Sequence, residues 1–141
     1  MSKVYIGYAR VSTEEQNEAR QLESFRSFSE PISKTFIDKC SGKNMNRPQL
    51  KAMLEYVREG DVVVVSDFSR LARSTRDMLQ IVQELTDKGV GLISLKESVD
   101  TETPQGRFML TIFAALAELE RETILQRQRE GIAIAKQQGN L

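Results

Sequence analysis

The sequence contains no histidine and only one cysteine among its 141 residues. Without histidine, a Ser-His-Asp triad, a Cys-His dyad and a histidine-ligated metal site are all impossible. The lone Cys40 can neither form a disulfide within the chain nor build a cysteine-rich zinc site. Any nucleophilic side chain must therefore be activated by arginines, carboxylates or a helix terminus.

The chain also lacks a long apolar run and the basic and apolar regions of a signal peptide. We therefore expect a cytoplasmic protein with no membrane partner. Lysine and arginine together number 20, as do aspartate and glutamate, so the formal net charge is zero. This balance argues against strong autonomous binding of nucleic acid, although local basic patches could still provide it. The hydrophobic fraction of 40% is enough to bury the core of one domain.

The first stretch that suggests chemistry is Tyr8-Ala9-Arg10-Val11-Ser12-Thr13. Residues 4–8 are typical of a short strand, and the polar run from Ser12 is typical of a helix start. Backbone N–H groups at such a junction face an incoming anion. Arg10 beside the Ser12 hydroxyl suggests a phosphate clamp and a nucleophile. A helix cap would explain Ser12 or Thr13 equally well, but it does not account for Arg10.

Strands and helices alternate along the rest of the first hundred residues. The hydrophobic patterns predict further strands at 34–38, 62–65 and 90–95, and helices at 14–28, 48–58 and 75–88. Val62–Val65 show no polar alternation, which is typical of a central strand covered on both faces. The alternation predicts an α/β fold with a mostly parallel central sheet of four to five strands and helices on both faces.

A second strand end carries cations. Arg70 and Arg73 follow the valine strand and lie three residues apart, so they share one side of a helical turn. Because the carboxyl ends of parallel strands meet at one edge of a sheet, these arginines should emerge near Arg10 and Ser12. Chance placement of surface arginines is the alternative.

A long helix is predicted from residue 106 to about 138, roughly 50 Å in length. It should project from a body somewhat under about 40 Å across. Its first half is apolar on more than one side, which suggests contact with its own sheet layer and with a second subunit. We expect a dimer interface there, formed by Phe108, Ile112, Phe113, Leu116 and Leu119. The second half has mixed charge. It is either a solvated helix or a basic arm that lies along a polyanion, with Arg121, Arg127 and Arg129 as the contacting residues.

Motifs spread over essentially the whole chain resemble the serine site-specific recombinases of the resolvase/invertase family. In order, they are Tyr8-Ala9-Arg10-Val11-Ser12-Thr13 with Gln16 and Gln21, Asp38 with Ser41-Gly42, Arg47-Pro48, Gly60-Asp61, Ser69-Arg70-Leu71-Ala72-Arg73-Ser74, Gly106-Arg107-Phe108 and Ala117-Glu118-Leu119-Glu120-Arg121-Glu122.

The resemblance implies an enzyme that recombines double-stranded DNA. Its serine would attack a DNA phosphodiester to give a 5′-phosphoseryl intermediate and a free 3′-hydroxyl. Dimers bound at two sites would form a tetramer at synapsis, exchange strands and religate them. The covalent link would conserve the bond energy, so the resemblance implies no cofactor, no metal and no ATP.

Residue roles follow from the same resemblance. Ser12 would be the nucleophile, and Arg10, Arg70 and Arg73 would contact the scissile phosphate and stabilise its transition state. The surround of the active site would consist of Tyr8, Gln16, Gln21, Asp38, Arg47 and Ser69. Three positions depart from the common family pattern: Ser69 in place of aspartate, Ala72 in place of glycine, and Gln126 in place of a carboxylate.

The resemblance divides the chain into a catalytic core at 1–105 and a dimerisation and DNA-arm helix at 106–138. The helix-turn-helix domain that follows in small family members is absent from this chain. We therefore expect a catalytic domain cut from a longer protein, with a naturally short protein as the alternative.

Two other functions are compatible with parts of the sequence. A metal-dependent nuclease or phosphatase could bind magnesium through Asp38, Asp61, Asp67 or Asp100. A non-catalytic dimerisation module would need only the long helix, with Ser12 acting as a cap.

Overall fold

The computed structural model describes residues 3–12, 18–40, 46–72 and 74–137. The strands in this part of the chain are β1 (Tyr5–Ser12), β2 (Ile32–Cys40), β3 (Val62–Val65), β4 (Gly91–Ser94) and β5 (Val99–Asp100). The helices are α1 (Glu18–Arg26), α2 (Pro48–Tyr56), α3 (Phe68–Leu71), α4 (Thr75–Asp87) and α5 (Pro104–Gln137).

The strands form one sheet in the order β2-β1-β3-β4-β5. The first four strands run parallel, and β5 is antiparallel to β4. All four valines of β3 are buried, as expected for the middle of a covered sheet. The predicted mostly parallel α/β sheet is therefore confirmed.

Alternate residues of the strands feed two hydrophobic clusters, one on each face of the sheet. The larger cluster joins β-strand residues such as Val63 and Val65 to α2 and α4, through side chains that include Met53 and Leu85. On the other face, Val64 packs in a cluster with Phe25 of α1. Helices on both faces were predicted, and the two clusters confirm that arrangement.

Two short elements were not predicted, and two strands, β1 and β2, are longer than expected. The helix α3 is a single turn, and β5 contains two residues. The strand β1 continues to Ser12 because Arg10 pairs with Asp38, and Ser12 pairs with Cys40. The polar run that was expected to open a helix therefore begins as the end of a strand.

The long helix α5 contains 34 residues, which corresponds to about 50 Å. Its first turns pack closely on β5. A Cβ atom added at Gly106 would lie 1.8 Å from the carbonyl oxygen of Asp100, so only glycine fits there. The last buried side chain on α5 is Ala117, and between residues 118 and 133 only Thr123 is half-buried. The C-terminal part of the helix therefore extends away from the body. No described helix is both long and apolar enough to cross a membrane.

Candidate active site

The carboxyl ends of β1, β2 and β3 meet at one edge of the sheet. The guanidinium of Arg10, near the end of β1, donates from Nη2 to the carbonyl oxygen of Ser69 in α3 at 2.6 Å. Arg70 is the next residue of the same helical turn. The chain therefore brings Arg10 and the turn that carries Arg70 together at this edge.

The backbone of Arg10 is fixed by Gln21 of α1. Tyr8 is the last residue of β1 that pairs with β3, so Arg10 lies beyond the end of that ladder. Gln21 completes the strand, because its amide oxygen accepts from the Arg10 N–H at 3.1 Å and its amide nitrogen donates to the Arg10 carbonyl at 3.0 Å. The Gln21 side chain is only 3% exposed, so both bonds are shielded from water. Gln21 thus sets the position from which Arg10 projects.

Asp38, at the end of β2, binds three donors and is only 2% exposed. Its oxygens accept from the Tyr8 hydroxyl at 2.8 Å and from the backbone N–H groups of Gln49 and Leu50, each at 2.9 Å. The carboxylate therefore caps α2, whose N-cap residue Arg47 makes no side-chain cap bond.

Tyr8 is fully buried beneath this carboxylate. Burial raises the pKa of the Tyr8 phenol well above its usual range, and the hydrogen bond to Asp38 raises it further. Tyr8 therefore keeps its proton at neutral pH. Its described contact supports α2 and does not supply a base.

Arg47 connects the start of α2 to the segment that surrounds position 73. Its Nη1 donates to the carbonyl of Leu71 at 2.7 Å, and its Nη2 donates to Asp77 Oδ2 at 2.8 Å. Both charged side chains are largely buried. The pair therefore fixes the end of α3 against the start of α4, where Ser74 is the N-cap.

The turn α3 is held at its N-terminus by two carboxylates. Asp67 is its N-cap: Oδ1 accepts from the Arg70 N–H at 3.1 Å and also from the Ser69 hydroxyl. Glu97, in the turn between β4 and β5, accepts from the Phe68 N–H at 3.2 Å. The Asp67 carboxylate thus contacts Ser69, one of the three positions that the resemblance marks as departures from the family pattern.

The structure brings together most, but not all, of the predicted site. Arg10 contacts the Ser69 carbonyl directly, and Arg70 is the next residue of that turn. Tyr8, Gln21, Asp38 and Arg47 support the elements that carry them. Ser12 ends β1 at the same edge, and its description is limited to the backbone. Gln16 and Arg73 lie outside the described residues.

Two carboxylates at this edge, Asp77 and Glu97, were missed by the sequence reasoning. Asp77 follows Ser74 at the spacing of a capping box, and this spacing suggested no contact with Arg47. Glu97 lies in a turn whose partner is distant along the chain. Only the three-dimensional arrangement brings Asp77 to Arg47 and Glu97 to α3.

The predicted dimer-interface residues of α5 divide between two faces. Phe108, Ile112, Leu116 and Leu119 are 65%, 43%, 41% and 58% exposed. Phe113 instead packs against the domain itself, with its ring 5.5 Å from that of Phe68 in an edge-to-face arrangement. The first four residues, which we call the outer face of α5, lack a described partner within the chain. The predicted DNA-arm residues Arg121, Arg127 and Arg129 are all exposed.

Residues 5–141 match the family model described as the resolvase N-terminal domain. The chain belongs to the resolvase family. It is 50% identical over 137 residues to the Transposons Tn1721 resolvase of Escherichia coli, covering 95% of this chain and 71% of that protein. It is 45% identical over 136 residues to the DNA-invertase of Escherichia phage P1, covering 96% and 72%.

Solved structures agree with this assignment to the resolvase family. The N-terminal catalytic domain of TP901-1 integrase matches with a TM-score of 0.72 and 32% identity, covering 86% of this chain and 98% of that one. A resolvase family site-specific recombinase from Streptococcus pneumoniae matches with a TM-score of 0.79 and 28% identity, covering 96% and 99%. The prediction of a serine recombinase catalytic domain, from a family of enzymes that cleave and rejoin DNA, is confirmed.

Proposed function

We propose that this resolvase-family domain cleaves DNA through Ser12, whose hydroxyl oxygen attacks a backbone phosphorus. Ser12 Oγ loses its proton as it forms a bond with phosphorus, the bond to the 3′ oxygen breaks, and the 3′ oxygen gains a proton and leaves as a hydroxyl, so protons balance over the step. The reverse reaction on an exchanged strand would restore the phosphodiester and release Ser12. The observation that carries the proposal is the contact between Arg10 and the turn of Arg70 at the strand end where Ser12 lies.

The proposed roles of the arginines follow from the chemistry of phosphoryl transfer. Charge develops on the equatorial oxygens of the phosphorus in the transition state, and the catalyst must stabilise it. Guanidinium groups stay protonated and bind two oxygens at once. We assign this role to Arg10, Arg70 and Arg73. The positions of Gln16 and Arg47 are those of the surround that the family resemblance implies.

A homodimer built on the outer face of α5 is part of the proposal. Four large apolar side chains share one side of this helix, at spacings of four, four and three residues. Water contact with them is unfavourable, and a second copy presenting the same stripe would cover both. Two such dimers would form the tetramer at synapsis.

DNA contact by the C-terminal half of α5 completes the proposed assembly. Arg121, Arg127 and Arg129 are exposed on a segment that extends beyond the body, so a duplex could approach without displacing the core. Arginines in such a position neutralise phosphates and carry no sequence information by themselves.

The metal-dependent alternative is less well supported. Three donors already bind Asp38, and Asp61 precedes β3, at the sheet edge opposite to Asp67. Among the described residues, no group of three or more candidate ligands could hold a metal ion. A dimerisation module without catalysis would not require Arg10 and the turn of Arg70 to meet at the strand end where Ser12 lies.

The test is covalent trapping on supercoiled plasmid that carries the genomic DNA flanking the coding sequence. The protein is incubated with the plasmid in EDTA, and adducts are resolved on a denaturing gel. We expect an adduct from the wild type and from Ser27→Ala, which changes an exposed serine at the opposite edge of the sheet. Ser12→Ala should give none. An adduct that persists in Ser12→Ala would refute the nucleophile, and one that requires added magnesium would favour the metal-dependent enzyme.

A further inference from the structure

Glu97 lies at the same sheet edge as Arg10 and Arg70, in a segment of the chain that no sequence motif connects with catalysis. It belongs to residues 95–98, the turn between β4 and β5. The turn is attached to the strand that precedes α3, because the Leu95 N–H donates to the Val65 carbonyl at 3.0 Å and the Lys96 N–H donates to the Ser66 carbonyl at 2.9 Å. These bonds continue the β3–β4 ladder beyond Val65 and Ser94, and they carry the next residue to the start of α3.

The conformation of the turn fixes the direction of the Glu97 side chain. Ser98 adopts a φ of 55°, a left-handed conformation that non-glycine residues rarely occupy. Its N–H donates to the Leu95 carbonyl at 3.2 Å, which closes the turn. The fully buried hydroxyl of Ser94 also donates to Glu97 Oε1. The carboxylate is therefore held in place from both its strand and its turn.

Glu97 Oε1 also accepts from the Phe68 N–H at 3.2 Å. This N–H is the first of α3, and the first N–H groups of a helix have no partner within the helix. A single four-residue turn gains little stability of its own, so its position depends on such contacts. Asp67 binds the third residue of the turn, and Glu97 binds the first.

The turn α3 carries Arg70 and contacts Arg10, two of the residues that we assign to the phosphate. The Ser69 carbonyl holds the Arg10 guanidinium at 2.6 Å, and Arg70 follows it. We infer that Glu97 is a positioning residue for strand cleavage: by holding the Phe68 N–H it sets the place of α3, and through α3 it sets both Arg10 and Arg70. The inference rests on the proposed function, since it concerns the same reaction.

The test compares Glu97→Ala with Glu97→Gln in the full chain. Glutamine keeps an oxygen that can accept from Phe68 and Ser94, whereas alanine removes it. Glu84→Ala is the matched control, because Glu84 is an exposed glutamate on α4. The plasmid of the trapping test is radiolabelled, and potassium dodecyl sulfate precipitates the DNA that is covalently bound to protein. The precipitated label is measured over time. Rates are measured over a range of protein concentrations and divided by the folded fraction from circular dichroism.

We expect Glu97→Ala to lower the maximal rate constant about tenfold, because small displacements of groups that contact the phosphate reduce the rate strongly. The protein concentration that gives half the maximal rate should change by less than about twofold, because the proposal assigns most contacts with DNA phosphates to the exposed arginines of α5. Glu97→Gln should stay within about threefold of the wild type. A residue that only stabilised the fold would leave the corrected rate constant unchanged.

Three results would overturn the inference while leaving the proposed function intact. They are a Glu97→Ala rate constant equal to that of Glu84→Ala, a loss confined to the half-saturating concentration, and an equal loss in Glu97→Gln. If the wild type itself forms no Ser12-dependent adduct, the proposed function fails first and the inference falls with it. The wild-type lane therefore separates the two failures.

Discussion

Replacing Asp38 tests whether this residue of the proposed active-site surround acts mainly by holding α2 in place. Asp38→Ala removes the acceptor for three groups: the Tyr8 hydroxyl and the N–H groups of Gln49 and Leu50. The Tyr8 hydroxyl is in the core, where water cannot readily replace the lost partner. The two N–H groups belong to the first turn of a helix that has no cap of its own.

The size of the effect follows from these three contacts. Each buried donor left without an acceptor costs about 1–3 kcal/mol, and the N–H of Gln49 is only partly buried. Two full penalties and a smaller third one give an expected loss of about 3–6 kcal/mol in the free energy of unfolding. For a chain of 141 residues, each kcal/mol corresponds to roughly 3–4 °C in Tm, which gives a fall of about 10–20 °C. The stability of Asp38→Asn should lie between those of the wild type and Asp38→Ala, because asparagine keeps one acceptor oxygen where aspartate has two.

The measurement is urea unfolding followed by circular dichroism, with thermal melts in parallel. Asp87→Ala is the control: Asp87 is an exposed aspartate that accepts only a side-chain bond from Gln83 among the described contacts. We expect it to change stability by less than about 0.5 kcal/mol. A loss below about 1 kcal/mol in Asp38→Ala would refute the reasoning, because it would mean that these donors find water or other partners in the folded state.

Three further predictions concern other parts of the fold. Because folding raises the pKa of Tyr8, the folded state keeps this proton above about pH 10, where the unfolded state loses it. The free energy of unfolding should therefore fall by up to about 1.4 kcal/mol per pH unit in that range. Tyr8→Phe should remove this fall in urea unfolding at each pH, and Tyr56→Phe, which changes an exposed tyrosine, is the control. Gly106→Ala should destabilise the domain by about 3 kcal/mol in thermal melts, because the added methyl group clashes with β5. Gly131→Ala should instead stabilise α5 by about 1 kcal/mol, because Gly131 lies in open space. Equal effects of the two changes would contradict the packing of α5. Ile112→Glu, on the outer face, should give a stable monomer in sedimentation. Phe113→Glu should instead lower Tm in thermal melts, because Phe113 packs against Phe68 within the domain. A dimer that survives Ile112→Glu would exclude the outer face as the interface.

The parts of the fold that the sequence predicted are those where one local pattern decides the outcome. Four successive valines without polar alternation favour a strand covered on both faces. The apolar stripe of α4 and its glycine end at Gly89, with a φ of 76°, predicted that helix within one residue at its end. The short elements α3 and β5 have no local sequence pattern that would predict them. The turn α3 depends on caps from Asp67 and Glu97, and a two-residue strand such as β5 exists only because β4 is beside it.

The long helix shows what periodicity leaves undecided. Both Ile112 and Phe113 are large and apolar, and they lie about 100° apart around the helix axis. Hydrophobicity alone cannot tell which of the two faces the domain and which faces a partner. Small residues carry that information, because Gly106 and Ala117 lie on the side of Phe113 and allow the helix to approach its own sheet. The inner face could have been identified from these two residues.

The sequence predicted which residue types lie at one edge of the sheet, but it did not predict the contacts that hold Arg10 and Arg47 there. Spacing brought Arg10 and Arg70 to neighbouring strand ends. It could not show that a backbone carbonyl orients Arg10 while a carboxylate, Asp77, binds Arg47. The difference matters for phosphate binding. A carbonyl fixes a guanidinium without cancelling its charge, whereas a carboxylate offsets it. Arg10 is thus held in a form that still attracts a phosphate, and Arg47 is better suited to keeping α2, α3 and α4 in register around it.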